Sequence, residues 1–241
     1  MTSYQWQPGN IYGHHTAPEY NAITYTWGRW RLKQNERPDV RPIPVSGVPW
    51  EIPRVNPSRF TANELERIIK MATGGFSTVT TACDKELPKV DFIWIDIICI
   101  DQRENNSTSA SEIGRQALIF DGAKHVVAWL STFSTQDLNN LIRGLWDKTD
   151  QIKQQIAISR TLSDTRSKLL LNEIHALLAT LFSDTWFTSL WTLQEAFLRY
   201  DALLMSREGG VATSILRAGS GLSHKWMFMQ TYSTSLALAN R

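Results

Sequence analysis

The chain has 241 residues, 25 Lys+Arg against 23 Asp+Glu, a net charge of +2, and 42% hydrophobic with 20% charged residues. So small a basic surplus excludes a protein that holds nucleic acid mainly by phosphate attraction, and the composition excludes a disordered chain. A chain this long buries roughly 70–75% of its unfolded surface, which suits one large domain with appended helices.

Residues 1–19 lack a basic stretch leading into an apolar one, so no secretory signal is expected and the segment reads as an extension. The first strand falls at Ala22–Trp27 and stops at Gly28. Six of the nine prolines follow between Pro38 and Pro57, which excludes a helix or central strand there. Ser46-Gly47, between Ile43/Val45 and Val48/Trp50, predicts an edge β-hairpin. Thr61 and Glu64 form a capping box for a helix with Leu65, Ile68, Ile69 and Ala72 on its apolar face, ended by Gly74-Gly75.

Phe92–Ile100 (FIWIDIICI) is apolar on both alternating faces and reads as a central parallel strand covered by helices. At nine residues it is far short of the about 20 needed to span a bilayer, so no membrane span is expected. Ser109 and Glu112 suggest a second capping box, with Ile113, Ala117 and Phe120 as the apolar stripe and Gly122 as the stop. His125–Leu130 is the next strand, completing a βαβ unit. Residues 134–183 read as an α-helical insertion, carried by Leu138, Leu141, Ile142, Leu145 and Trp146, then Leu170, Ile174, Leu177, Leu178 and Leu181. Asp184 caps a helix expected to run through Phe197, and Ala202–Met205 suits a last strand. Residues 211–241 form a C-terminal extension with a terminal helix near Lys225–Ala239.

Common sites are missing: there is no Walker-type phosphate loop, no GxGxxG after a strand, no HExxH and no GxSxG. His14 and His15, being adjacent, are expected to point apart, and the remaining histidines have no ligand spacing, so no metal is expected. Cys83 and Cys99 lie outside any CxxC pair, which suits a reducing, cytoplasmic setting with buried thiols.

Two stripes can be drawn on the helix after Asp184. Trp186, Leu190, Leu193 and Phe197 should face the core, while Phe187, Trp191 and Glu195 set a carboxylate one turn beyond an indole. An aromatic plane beside an anion suits a flat cationic ring bearing sugar hydroxyls. On spacing alone the plainer reading takes precedence, with Trp191 in the core and Glu195 paired with a surface base. Asp96 either orients a catalytic group or, the plainer reading, bonds to loop backbone at a strand end. Arg29 and Arg31 beside Trp30 either receive phosphate at the carboxyl edge of the sheet or form a solvated basic loop.

Read together, three separated segments resemble the fungal heterokaryon incompatibility (HET) domain. Tyr20–Gly28 (YNAITYTWG) is similar to its opening YxALSYxWG, Trp94–Gln102 (WIDIICIDQ) to its WIDxICIDQ block, and Trp186–Glu195 (WFTSLWTLQE) to its WFxRxWxxQE block. Glu112, Gln116 and Val127–Leu130 also fit, and order and spacing agree over about residues 20–210. The chain departs at Ser189 and Asp184, where the family commonly has Arg, at Arg29, where an acid is frequent, and at Ser131, where a Gly follows the WL pair.

The HET domain is itself similar to the TIR domain, so the resemblance implies a TIR-like (flavodoxin-like) parallel sheet flanked by helices. It implies a cytoplasmic cell-death effector whose residues 20–210 form the domain. By the same resemblance Glu195 is the acid that cleaves NAD at the nicotinamide-ribose bond, Trp191 flanks the nicotinamide, and Trp27, Gly28 and Arg29 line the pocket near the pyrophosphate; Trp30, Asp96 and Phe187 complete the binding set. NAD or a related nucleotide is then substrate, with no metal or other cofactor. A homo-oligomer on activation and a regulatory protein partner are also implied. The rival is a non-enzymatic module that self-assembles through the loop Cys99–Asn106 and the helical insertion.

Overall fold

The computed structural model describes residues 1–74, 89–103, 107–159, 165–190, 192, 195, 198, 199 and 201–212, with backbone alone for 107–113 and 156–159. Residues of the N-terminal extension form an antiparallel ribbon of three two-residue strands, β1 (Trp6–Gln7), β2 (Ile11–Tyr12) and β3 (His15–Thr16). Gly9 and Gly13, with φ of 88° and 62°, make its two turns. His14 lies in the second turn rather than in a strand, so strand alternation does not apply to the pair. The imidazoles of His14 and His15 sit 3.9 Å apart, not on opposite sides as expected.

The expected edge hairpin at Ser46-Gly47 is replaced by pairing with the chain start. Ser3 N donates to Ser46 O at 2.8 Å and Ser46 N to Met1 O at 3.0 Å, forming a parallel bridge between Thr2 and Ser46. Prolines 44 and 49 have no N–H for a ladder, and Gly47, at φ 86°, lies against the Ser3 carbonyl.

The second sheet holds β4 (Tyr20–Thr24), β5 (Phe92–Ile95), β6 (Val126–Leu130) and β7 (Leu203–Ser206), in the order β5-β4-β6-β7 with every pairing parallel. Counted from β4 this is the flavodoxin-like order 2-1-3-4. The strand expected at Phe92–Ile100 is therefore an edge strand and stops at Ile95. The Asp96 carboxylate accepts Ile97 N at 2.6 Å and the Asp96 carbonyl accepts Ile100 N at 2.9 Å, winding Asp96–Cys99 into one helical turn, α2. Cys99 is half-buried, and Cys83 lies outside the described residues.

Helix α1 (Ala62–Thr73) starts as expected. Glu64 N donates to Thr61 Oγ1 at 3.2 Å, Thr61 N donates to Glu64 Oε2 at 2.8 Å, and Leu65, Ile68, Ile69 and Ala72 are buried. Helix α3 (Ser107–Gly122) begins two residues before the expected cap at Ser109, whose side chain, like those of Glu112 and Ile113, lies outside the described residues. Its inward face carries Gln116 and Phe120, while Ala117 is exposed. The helical insertion is a pair, α4 (Thr135–Ser159) and α5 (Thr165–Leu181), which bury Leu138, Leu141, Ile142 and Leu145 in one cluster with Ile174, Leu178 and Leu181, and Leu170 is buried as well.

The sheet divides two cores. Ile23 joins the large cluster with α1, α4 and α5, whereas its neighbour Ala22 points to a smaller one with Phe120, Ala123 and Val126. At the amino end Asn21 clamps both sides, donating from Nδ2 to Ala72 O at 2.7 Å and accepting His125 N at 3.1 Å. The terminal helix expected near Lys225–Ala239 lies outside the described residues. Thr61→Ala should lower unfolding free energy by about 1 kcal/mol, as for loss of an N-cap, and Leu65→Ala by about 3 kcal/mol, as for a fully buried leucine. Urea denaturation of the two variants checks both values and their order.

Candidate functional site

In a parallel sheet the strand carboxyl ends face one side, and loops leaving them build the ligand crevice. Here the chain leaving β4 supplies Tyr25, Thr26, Trp27, Gly28 and Arg29, and the chain leaving β5 supplies Asp96, Ile100, Asp101, Gln102 and Arg103. With Ser189 these line a cleft of about 370 Å³. That volume falls in the range of small-molecule sites.

Asp96 holds the cleft's inner wall. Its Oδ2 accepts the Trp27 indole N–H at 2.8 Å while Oδ1 accepts Ile97 N, so the plainer expectation holds, a strand-end carboxylate bonded to backbone, and the other oxygen fixes the Trp27 indole. Burial pushes its carboxyl up to about 6, against the opposing hydrogen bonds from Trp27 and Ile97. Tyr25 beside it is raised well above its ordinary 10.0, by burial first and then by the charges of Asp96 and Glu195. Asp101 is buried; its Oδ1 accepts Arg103 N at 3.0 Å, and the Arg103 side chain grips the carboxylate, Nη2 donating at 2.5 Å and Nε at 3.0 Å. Gln102 Nε2 donates to Asp96 O at 3.2 Å and Arg31 Nη1 to Gln102 O at 3.2 Å, fixing the rim.

The segment bearing Glu195 differs from the expected continuous helix. Asp184 Oδ1 accepts Trp186 N at 2.8 Å and caps a 3₁₀ turn over Thr185–Thr188, which breaks at extended Ser189. Helical backbone resumes at Leu190 and holds at Thr192, Glu195 and Leu198. The break shifts the phase, so the stripe drawn through Trp186 and Leu190 fails: Trp186 is buried and Leu190 is 84% exposed. Leu193, Phe197 and Trp191 lie outside the described residues.

Glu195 is reached from the sheet. Thr24, the last residue of β4, donates its hydroxyl to Glu195 Oε2 and accepts the Trp186 indole N–H at 2.9 Å. The acid is 3% exposed. It therefore lies in the interior and borders no open cleft, held on the sheet by Thr24. Tyr25, a wall of the cleft, is itself only 4% exposed, but Glu195 is not among the residues that line the cleft.

Of the expected site residues, Trp27, Gly28, Arg29 and Asp96 meet in the cleft; Glu195 does not line it, though its charge helps to raise the Tyr25 phenol. Trp30 and Phe187 do not line it. Trp30 carries Arg59 and Arg29 on its ring at 4.5 and 5.6 Å, and Phe187 packs on Phe182 and Trp186 at 5.0 and 4.8 Å. Thr24, Tyr25 and Arg59 escaped sequence reading. The first two look like ordinary strand residues, and Arg59 sits in a proline-rich tract with no motif. Among the described residues no three His, Cys, Asp or Glu side chains group to hold a metal, and no helix is long and apolar enough to cross a membrane.

The family model described as "Heterokaryon incompatibility protein (HET)" matches residues 20–195, a span that begins at the first residue of β4 and ends at Glu195. The chain belongs to this family, which ties it to heterokaryon incompatibility. No curated protein and no solved structure matches it.

Because the folded-state pKa of Asp96 is raised, the native protein binds a proton that the unfolded chain has lost, and stability falls as pH rises from 3.8 to about 6. Asp96→Asn cannot ionise, so the variant should gain on wild type across that interval and hold a constant difference above it. Paired melting temperatures from pH 4 to 7 measure this; a difference independent of pH would show that Asp96 titrates normally.

Proposed function

We propose that this HET-family chain binds a nicotinamide dinucleotide at the carboxyl end of β4 and cleaves its nicotinamide-ribose bond, with Glu195 as the catalytic acid. The observation supporting this most is the Thr24 contact, which brings a carboxylate from a distant helix onto the end of an inner strand, one residue before Tyr25 in the lining of a cleft of about 370 Å³. The pyridinium nitrogen of NAD leaves as neutral nicotinamide, so the barrier lies in positive charge building on the ribose. A carboxylate held in a water-poor pocket offsets that charge without reorganising. The C1′–N bond breaks with its electron pair passing to the ring nitrogen; water adds at C1′ and releases its proton to solvent. Glu195 binds the ribose hydroxyls, which replace the Thr24 hydroxyl as its donors, and Trp191 flanks the leaving nicotinamide. Trp27, Gly28 and Arg29 line the path toward the pyrophosphate. Asp96 holds the Trp27 indole there, while Trp30 and Phe187 support the two sides from behind.

One observation favours the rival reading, a non-enzymatic TIR-like module that signals by self-assembly: Glu195 is buried to the degree expected of a structural carboxylate. Incubation of concentrated protein with NAD separates the two. Wild type should release nicotinamide, and Glu195→Gln, folded by circular dichroism, should release it at least about 100-fold more slowly. Undiminished release by the variant removes Glu195 from the reaction, and absence of release from both proteins supports the module.

A further inference from the structure

We propose that Arg29, which lines the cleft, and Arg59, which lies outside that lining on the same Trp30 indole, together form a phosphate-recognising corner, so that the ligand carries a diphosphate group rather than being an uncharged nucleoside. This rests on the nucleotide reading of the cleft and names the part of the ligand that is recognised.

Arg29 lines the cleft, is exposed, and beyond its contact with Trp30 makes no hydrogen bond or ion pair among the described residues. A guanidinium beside an aromatic ring keeps its five donors directed outward, the geometry that matches phosphate oxygens. Behind it Arg59, more than nine-tenths buried, lies 4.5 Å from the centre of the same ring. Its Nη2 donates to Thr26 Oγ1 at 2.7 Å and its Nε to Thr26 O at 3.3 Å, while Nη1 makes no hydrogen bond among the described residues.

The nearby acids do not neutralise this corner. Asp184 stands 3.9 Å from Arg59, and its two oxygens are already engaged by Trp186 N and Thr132 N. Arg103 takes up Asp101, Glu64 pairs with Arg207, and Asp96 faces the cleft from its inner wall with Trp27 and Ile97 as donors. Burial depresses the Arg59 guanidinium, and the positive charges of Arg207 and Arg29 act in the same direction against the opposing pull of Asp184. Two cations on one indole with a single loosely held acid leave a positive surplus, partly shielded from water, which an anion entering the cleft relieves.

Calorimetric titration of the whole chain with ADP and with adenosine tests this. Wild type should bind ADP at least about tenfold more tightly, a difference of about 1.4 kcal/mol. Arg29→Gln should bring the ratio close to one while leaving adenosine affinity within about twofold, since it removes only charge-assisted bonds to phosphate. Arg59→Lys keeps the charge but loses the planar fork, and should lower the ratio by about threefold or more. A wild-type ratio near one overturns the proposal, and an unchanged ratio in either variant overturns the role of that residue. ADP preference without nicotinamide release from NAD would sink the cleavage reading and leave the phosphate corner standing.

Discussion

One hydroxyl joins the sheet to the segment that carries the acid. Thr24 Oγ1 accepts the Trp186 indole N–H and donates to Glu195 Oε2, and all three residues are buried. Thr24 ends β4, which is flanked by parallel partners on both sides and so cannot slide without turning its side chains to the other core. That rigidity passes through the hydroxyl to the indole and the carboxylate. A buried indole N–H without a partner costs about 1–3 kcal/mol, which makes the position of Trp186 dependent on Thr24 as well.

A second connection runs outside the sheet. Arg59 reaches Thr26 and Trp30 after β4, and Asp184 connects it with Thr132 after β6 and with the 3₁₀ turn at Trp186. The cleft rim and the start of the Glu195 segment therefore share one buried ion pair, at 3.9 Å. Such a pair adds little net stability, because desolvation of both charges opposes their attraction. Its effect is to fix the relative placement of three loops, which a binding site needs more than raw stability.

The elements readable from the chain were those set by local chemistry. The capping box at Thr61, the apolar spacing of α1, α4 and α5, and the buried strand from Val126 follow from patterns within about a dozen residues; the first strand was found but misplaced, running Tyr20–Thr24 rather than Ala22–Trp27, because Tyr25–Trp27 leave the ladder to line the cleft. Misreadings arose where one side chain overrode a pattern. Asp96 ends the strand by opening a helical turn, its carboxylate accepting the next backbone N–H, and extended Ser189 breaks what looked like one helix, moving Leu190 to the surface. The apparent hairpin at Ser46 yielded to a partner more than forty residues away, at Met1–Ser3. At the site, Trp27, Gly28, Arg29 and Asp96 were visible because they lie in motifs at strand ends. The roles of Thr24 and Tyr25, which lie in the same opening motif, and of Arg59 were not, since they come from residues up to 171 positions away.

The most direct measurement is a crystal structure of the chain soaked with an NAD analogue whose ribose ring oxygen is replaced by carbon, which blocks cleavage. The account predicts ribose hydroxyls within hydrogen-bond reach of Glu195 at the end of β4, with the diphosphate beside Arg29. An analogue bound elsewhere, or bound in the cleft with Glu195 still closed off behind Thr24, would contradict it.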